Sequence, residues 1–181
     1  MRTRIAALLF AAALLPAAAG CTHRAAAAPE AAPAATTFGG TDLAWIEISV
    51  ALDEQVLPLL ALVPNRSGDP ALTTSSAQMQ AAVTAELTTL HRLHDQAGLP
   101  PQNPHEGMLM PGLIPADAVT HAASLSGPRF DTALMAQLKP YLEQSHRLAQ
   151  DEQKAGTDSQ TRALATATAT ATDKALHQMP A

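Results

Sequence analysis

Cysteine occurs once in this 181-residue chain, at Cys21, so no disulfide can form within it and stability must come from packing. Aromatic residues are also scarce, at 3%, with a single Trp and a single Tyr. The core must therefore be built from aliphatic and small side chains. Charge is sparse and of the wrong sign for a polyanion: 11 Lys and Arg stand against 16 Asp and Glu, with no basic stripe. Nucleic acid is excluded as a partner on that ground. There is no Gly-x-Ser-x-Gly elbow, no phosphate loop and no Gly-x-Gly-x-x-Gly fingerprint, so nothing points to catalysis and the chain is read as a non-enzyme.

What is present begins with an export signal. Arg2 and Arg4 precede an apolar run from Ile5 to Pro16, followed by Ala17-Ala18-Ala19-Gly20. The run is shorter than the about 20 residues a permanent membrane helix needs, and suits a signal peptide. One reading is cleavage at an ordinary Ala-x-Ala site, leaving Cys21 incidental. The other is favoured: Ala18-Ala19-Gly20-Cys21 resembles the bacterial lipobox, and a lone thiol in a secreted chain is explained by lipid attachment. Residues 1–20 are thus a lipoprotein signal peptide, and the lipid on Cys21 makes the membrane a partner outside the cytoplasm. The 161 residues that remain carry nine basic and sixteen acidic side chains, a net charge of −7. Residues 21–40, rich in Ala and Pro and closed by Gly39-Gly40, read as a tether.

From residue 41 the spacing turns helical. Trp45, Ile48, Leu52, Val56, Leu59, Leu60 and Val63 recur at three and four, with Thr41 or Asp42 available as a cap. Pro58 lies inside this pattern and Pro64 to Gly68 end it. Asp69-Pro70 is a strong start for a second helix, which stops at Gly98. Residues 99–126 form a central connection containing a short helix from about Pro115 to Leu125. A third long helix opens at Ser126-Gly127-Pro128 and ends at Gly156, and Thr157 with Gln160 predicts a capping box for a fourth. The Ala-Thr alternation from Ala165 to Thr172 has strand period, but Ala is a poor strand former and the flanks are helical, so a helix is predicted.

The halves 41–98 and 127–179 match at an offset of 89 residues: Asp42 with Asp131, Glu54-Gln55 with Glu143-Gln144, Leu59 with Leu148, Asp69 with Asp158, Leu87 with Leu176. The predicted architecture of domain 41–181 is an all-α four-helix bundle made of two duplicated helical hairpins.

These features carry a resemblance. Asp42 with Trp45, Glu86-Leu87 with Leu90, Gly107-Met108, Phe130-Asp131, and Leu176 with Met179 make residues 41–179 similar to the bacterial domain of unknown function 305 family. The resemblance implies a ferritin-like four-helix fold, often secreted or lipid-anchored, with copper or other metal binding in some members. Its hallmark is a Met-Ile-Pro-His-His stretch in each half. Here the matching stretches are Ser49-Val50-Ala51-Leu52-Asp53 and Leu138-Lys139-Pro140-Tyr141-Leu142, without either histidine pair.

Two residual sites are legible. His91, His94, His105, Met108 and Met110 supply imidazole and thioether groups, a donor set suited to copper. Asp53, Glu86 and Glu143 could form a carboxylate site, although only Glu143 has a histidine three residues on, His146. Set against this, unpaired acids are seldom buried, and these three are expected on a solvated helix surface. The leading expectation is a lipid-tethered bundle that binds without catalysis, through a partner the sequence does not identify. The alternative is an envelope copper protein.

Overall fold

A computed structural model describes residues 38–105 and 108–179. The signal peptide, Cys21 and residues 22–37 of the tether lie outside the described residues. Six helices and no strand occur among them: α1 (Gly40–Leu60), α2 (Val63–Arg66), α3 (Pro70–Ala97), α4 (Ala116–Ala123), α5 (Pro128–Ala155) and α6 (Ser159–Gln178). The Ala-Thr run lies within α6, as its flanks predict.

The helix boundaries follow local chemistry, with three departures from the sequence reading. First, α1 starts inside the expected tether: Gly39 is its N-cap, neither Thr41 nor Asp42, and Phe38 packs against the core. Asp42 instead reaches back to accept the Gly39 N–H at 2.6 Å. Second, the segment expected only to end the first helix forms the extra turn α2, with Pro64 in its first turn. Third, α6 is capped by Asp158, whose carboxylate accepts from the Gln160 and Thr161 N–H groups, and not by Thr157. Asp69 caps α3 in the same way, through Ala71 and Leu72. The 89-residue repeat is thus repeated in hydrogen bonds. Gly98 closes α3 in the left-handed region at φ 67°, where a side chain would be strained.

α1 packs on α3 and α5, α5 packs on α6, and α4 fills against α1 and α5. Gln153 of α5 reaches the Ala165 carbonyl of α6, while His146, earlier in α5, reaches Ala169, so these two helices run antiparallel. α3 and α6 make few contacts with each other.

The core is divided. One apolar cluster gathers Leu52, Val56, Leu59, Val83, Phe130, Leu134, Leu138 and Leu142, and the other Trp45, Ile46, Val50, Leu90, Leu93, Ala149 and Ala165. Polar groups stand near the place where the two clusters meet along every long helix: Ser49 and Asp53 on α1, either side of Val50 to Leu52, Glu86 on α3, Ser145 on α5, Thr168 and Thr172 on α6. A polar layer therefore crosses the middle of the four helices.

Candidate functional site

Two of the polar layer's groups, Asp53 and Glu86, can ionise, and Tyr141 of α5 joins them. Asp53 is 3% exposed, and its Oδ1 accepts from the Tyr141 hydroxyl at 2.8 Å, while its Oδ2 has no hydrogen-bond partner. Glu86 accepts a very short hydrogen bond from the Thr168 hydroxyl. Burial above all, then the neighbouring Glu86 and more weakly Glu54, push the Asp53 carboxyl well above the usual range, against the Tyr141 hydrogen bond. Burial also raises Glu86, with the Thr168 hydroxyl opposing. Tyr141 is raised by burial and by the Asp53 and Glu86 charges. Two acids close together in a water-poor layer resist carrying two charges.

The expectation of a solvated surface is corrected for Asp53 and Glu86: both face inward, because helical spacing places each in line with its helix's apolar stripe. Glu143 is exposed and takes no part. Sequence reasoning missed Tyr141 and Thr168. Tyr141 follows Leu138 by three residues on the buried stripe of α5, a signal that could have flagged it.

A cleft of about 240 Å³ opens onto this layer between α3, α5 and α6. Its lining includes Leu72, Met79, Val83, Leu138, Leu142 and Met179, together with Glu86, Tyr141 and Thr172. α3 and α6 make few contacts with each other, and Ala171, Thr172 and Ala175 are small side chains of α6 in its wall.

The histidines lie elsewhere. His91, His94, Met108 and Met110 share the lining of a broad groove of about 990 Å³ under the central connection, together with Glu54. His91 Nε2 is 3.5 Å from Glu54, and His94 Nε2 is 3.2 Å from the Pro100 carbonyl. His105 does not line that groove; it faces Glu47 at 3.9 Å. Among the described residues, no group of three or more His, Cys, Asp and Glu is placed to hold a metal ion. The Leu52-Asp53 and Tyr141-Leu142 positions do not fit copper either. Two are buried leucines, and the other two hydrogen-bond to each other as hard oxygen donors.

A second buried pair joins α1 to the α5–α6 turn. The Asp42 carboxylate accepts from the Thr157 N–H at 3.1 Å, the Thr157 hydroxyl at 2.7 Å and the Asp158 N–H at 3.0 Å. Glu152 is fully buried beside it, and neither of its oxygens receives a hydrogen bond among the described residues. Burial alone would raise Asp42, but hydrogen bonds from Glu152, Thr157 and the Gly39 and Asp158 backbone outweigh it and hold its carboxyl at about 2. Burial, the bond to Asp42 and the Asp42 charge push Glu152 up to about 8, Arg162 acting the other way. Glu152 is therefore the proton donor of the pair at neutral pH. A Cβ on Gly156 would come within 1.9 Å of Glu152 Oε1, so only glycine lets the turn close over this acid.

Comparisons with known proteins agree with the all-helical fold. The family described as domain of unknown function (DUF305) matches residues 42–181. The fold is similar to the crystal structure of a DUF305 protein from Streptomyces coelicolor, with a TM-score of 0.68 at 13% identity, covering 76% of this chain and 88% of that one. No curated protein matches the sequence.

Proposed function

Since the chain belongs to the DUF305 family, whose description assigns no activity, we propose that it is a non-catalytic binding protein. It is held outside the cytoplasmic membrane by a lipid on Cys21 and takes a small ligand into the cleft between α3 and α6. The observation that carries this reading is the cleft itself: an apolar opening whose lining includes half-buried Glu86 and buried Tyr141, both hydrogen-bonded. Such convergence of a few polar groups in an apolar recess is the common form of a binding site.

The extracytoplasmic location is supported by the signal at residues 1–21, and the S. coelicolor protein is described as secreted. No helix among the described residues is long and apolar enough to cross a membrane. Replacing Cys21 with serine is expected to move the protein from the membrane fraction to the soluble one. Fractionation followed by immunoblotting tests this, and a variant that stays wholly membrane-bound rejects the lipid anchor.

A second reading, a copper-binding envelope protein, draws on the shared groove of His91, His94, Met108 and Met110. Against it, the His94 Nε2–H is engaged by the Pro100 carbonyl, which leaves only its Nδ1 for a metal. Titration with Cu(I) and Cu(II) against a competing chelator is expected to show no tight stoichiometric site. Tight binding that disappears in the His91→Ala, His94→Ala double variant would establish the copper reading instead.

A further inference from the structure

The lining of the α3–α6 cleft includes an acid that no cation answers. Among the described residues no salt bridge reaches Glu86 or Asp53. Lys174 lines the cleft but is exposed and pairs with neither. Asp53, linked to the cleft through the Tyr141 hydroxyl, keeps Oδ2 buried and without a donor. Thr168 satisfies Glu86 at Oε1 alone.

We propose that this cleft binds a small amphiphilic primary amine, its apolar body against Met79, Leu138, Leu142 and Met179 and its ammonium head on Glu86 beside Tyr141. The assignment rests on the binding role proposed above for the same cleft. An ammonium head supplies three N–H donors and a positive charge together. It is the head group that answers the unmet need here, a lining acid without a counter-ion, with Asp53 behind Tyr141 adding to the negative field. A hydroxyl head offers one donor and no charge, and a carboxylate head would add a third negative group. A divalent metal ion prefers six or more oxygens and would leave the apolar walls unused. At about 240 Å³ the cleft is below the roughly 300–1,000 Å³ that holds drug-sized ligands, which limits the body to a short chain or one small ring. The raised affinity of both acids for protons adds a signature: an arriving ammonium ion displaces protons from them.

The test is isothermal titration of residues 22–181, which contain every described helix, with n-octylamine, n-octanol and octanoate at pH 7. Two buffers of different ionisation enthalpy count the protons exchanged. Octylamine is expected to bind about tenfold or more tighter than octanol and to release protons, as a charge-assisted hydrogen bond predicts. Glu86→Gln, checked for helicity by circular dichroism, is expected to remove that advantage while leaving octanol binding in place. Met79→Trp fills the cleft and is expected to abolish binding of both, a result that does not depend on Glu86→Gln folding. Octanol binding as tightly as octylamine, or an octylamine affinity indifferent to Glu86→Gln, overturns amine recognition and leaves the cleft a binding site. Absence of binding by every probe, or octylamine binding unchanged in Met79→Trp, overturns both.

Discussion

Asp42→Ala is expected to destabilise the protein by about 3 kcal/mol, the loss of several hydrogen bonds to one buried carboxylate. The loss is large because one carboxylate serves so many donors. Gly39 N–H, Thr157 N–H, the Thr157 hydroxyl and Asp158 N–H all converge on it, and Asp42 is fully buried. Alanine removes the acceptor that those donors and the Glu152 proton share, and of them Asp158 and Glu152 are buried. Two other aspartates with the same look in sequence set the scale. Asp69 caps α3 from an exposed position, and Asp69→Ala is expected to cost about 1 kcal/mol, as exposed caps do. Asp131 is the repeat partner of Asp42 at the 89-residue offset, yet its buried Oδ1 has no partner. Asp131→Ala is expected to cost less than about 1 kcal/mol, since it removes no counted bond. Urea unfolding of the three variants checks the order; Asp42→Ala no worse than Asp69→Ala would reject the account of α1 as pinned to the α5–α6 turn.

Stability is expected to fall as pH rises from about 4.5 to 8, the reverse of the usual acid denaturation. The sign follows from Glu152. Its folded pKa of about 8 lies above its ordinary value of 4.5, so between these values the folded chain holds a proton that the unfolded chain has released. Its contribution is whole below the unfolded value and is lost progressively as pH climbs to the folded one. Asp53 and Glu86, both raised by burial, act in the same direction. Asp42 acts oppositely, its contribution standing above its ordinary 3.8 and fading as pH drops to about 2. The optimum therefore falls near pH 4–5. Glu152→Gln keeps a neutral donor facing Asp42 and has no proton to lose. It is expected to make the slope shallower by up to about 1.4 kcal/mol per pH unit across this window. The variant should match the parent near pH 4.5 and exceed it at pH 8. Thermal melts at half-unit intervals would measure this, and parallel curves for parent and variant would dismiss Glu152 as the titrating group.

The helical class was legible because period and punctuation repeat along the chain. Asp69-Pro70 opens α3 and Gly98 closes it, and these are local signals complete within a few residues. The Ala-Thr run was readable for the same reason, its flanks deciding between two periods. The capping of α6 was not, because Thr157 and Asp158 are both good caps in sequence. Asp42, 115 residues away, accepts from the Thr157 backbone and hydroxyl and leaves Asp158 to cap the helix.

The sequence by itself determined the helices, their duplicated register and the loss of both histidine pairs. Each depends on spacing along one chain or on the identity of a residue. Only the tertiary structure decided what the acids do. Whether Asp53 is solvated or buried against Tyr141, whether Glu86 reaches Thr168 and lines a cleft, and whether Glu152 keeps its proton beside Asp42 depend on which helices meet and where. An acid's charge state is set by the water and charges around it, and in this protein those surroundings come from helices far apart in the chain.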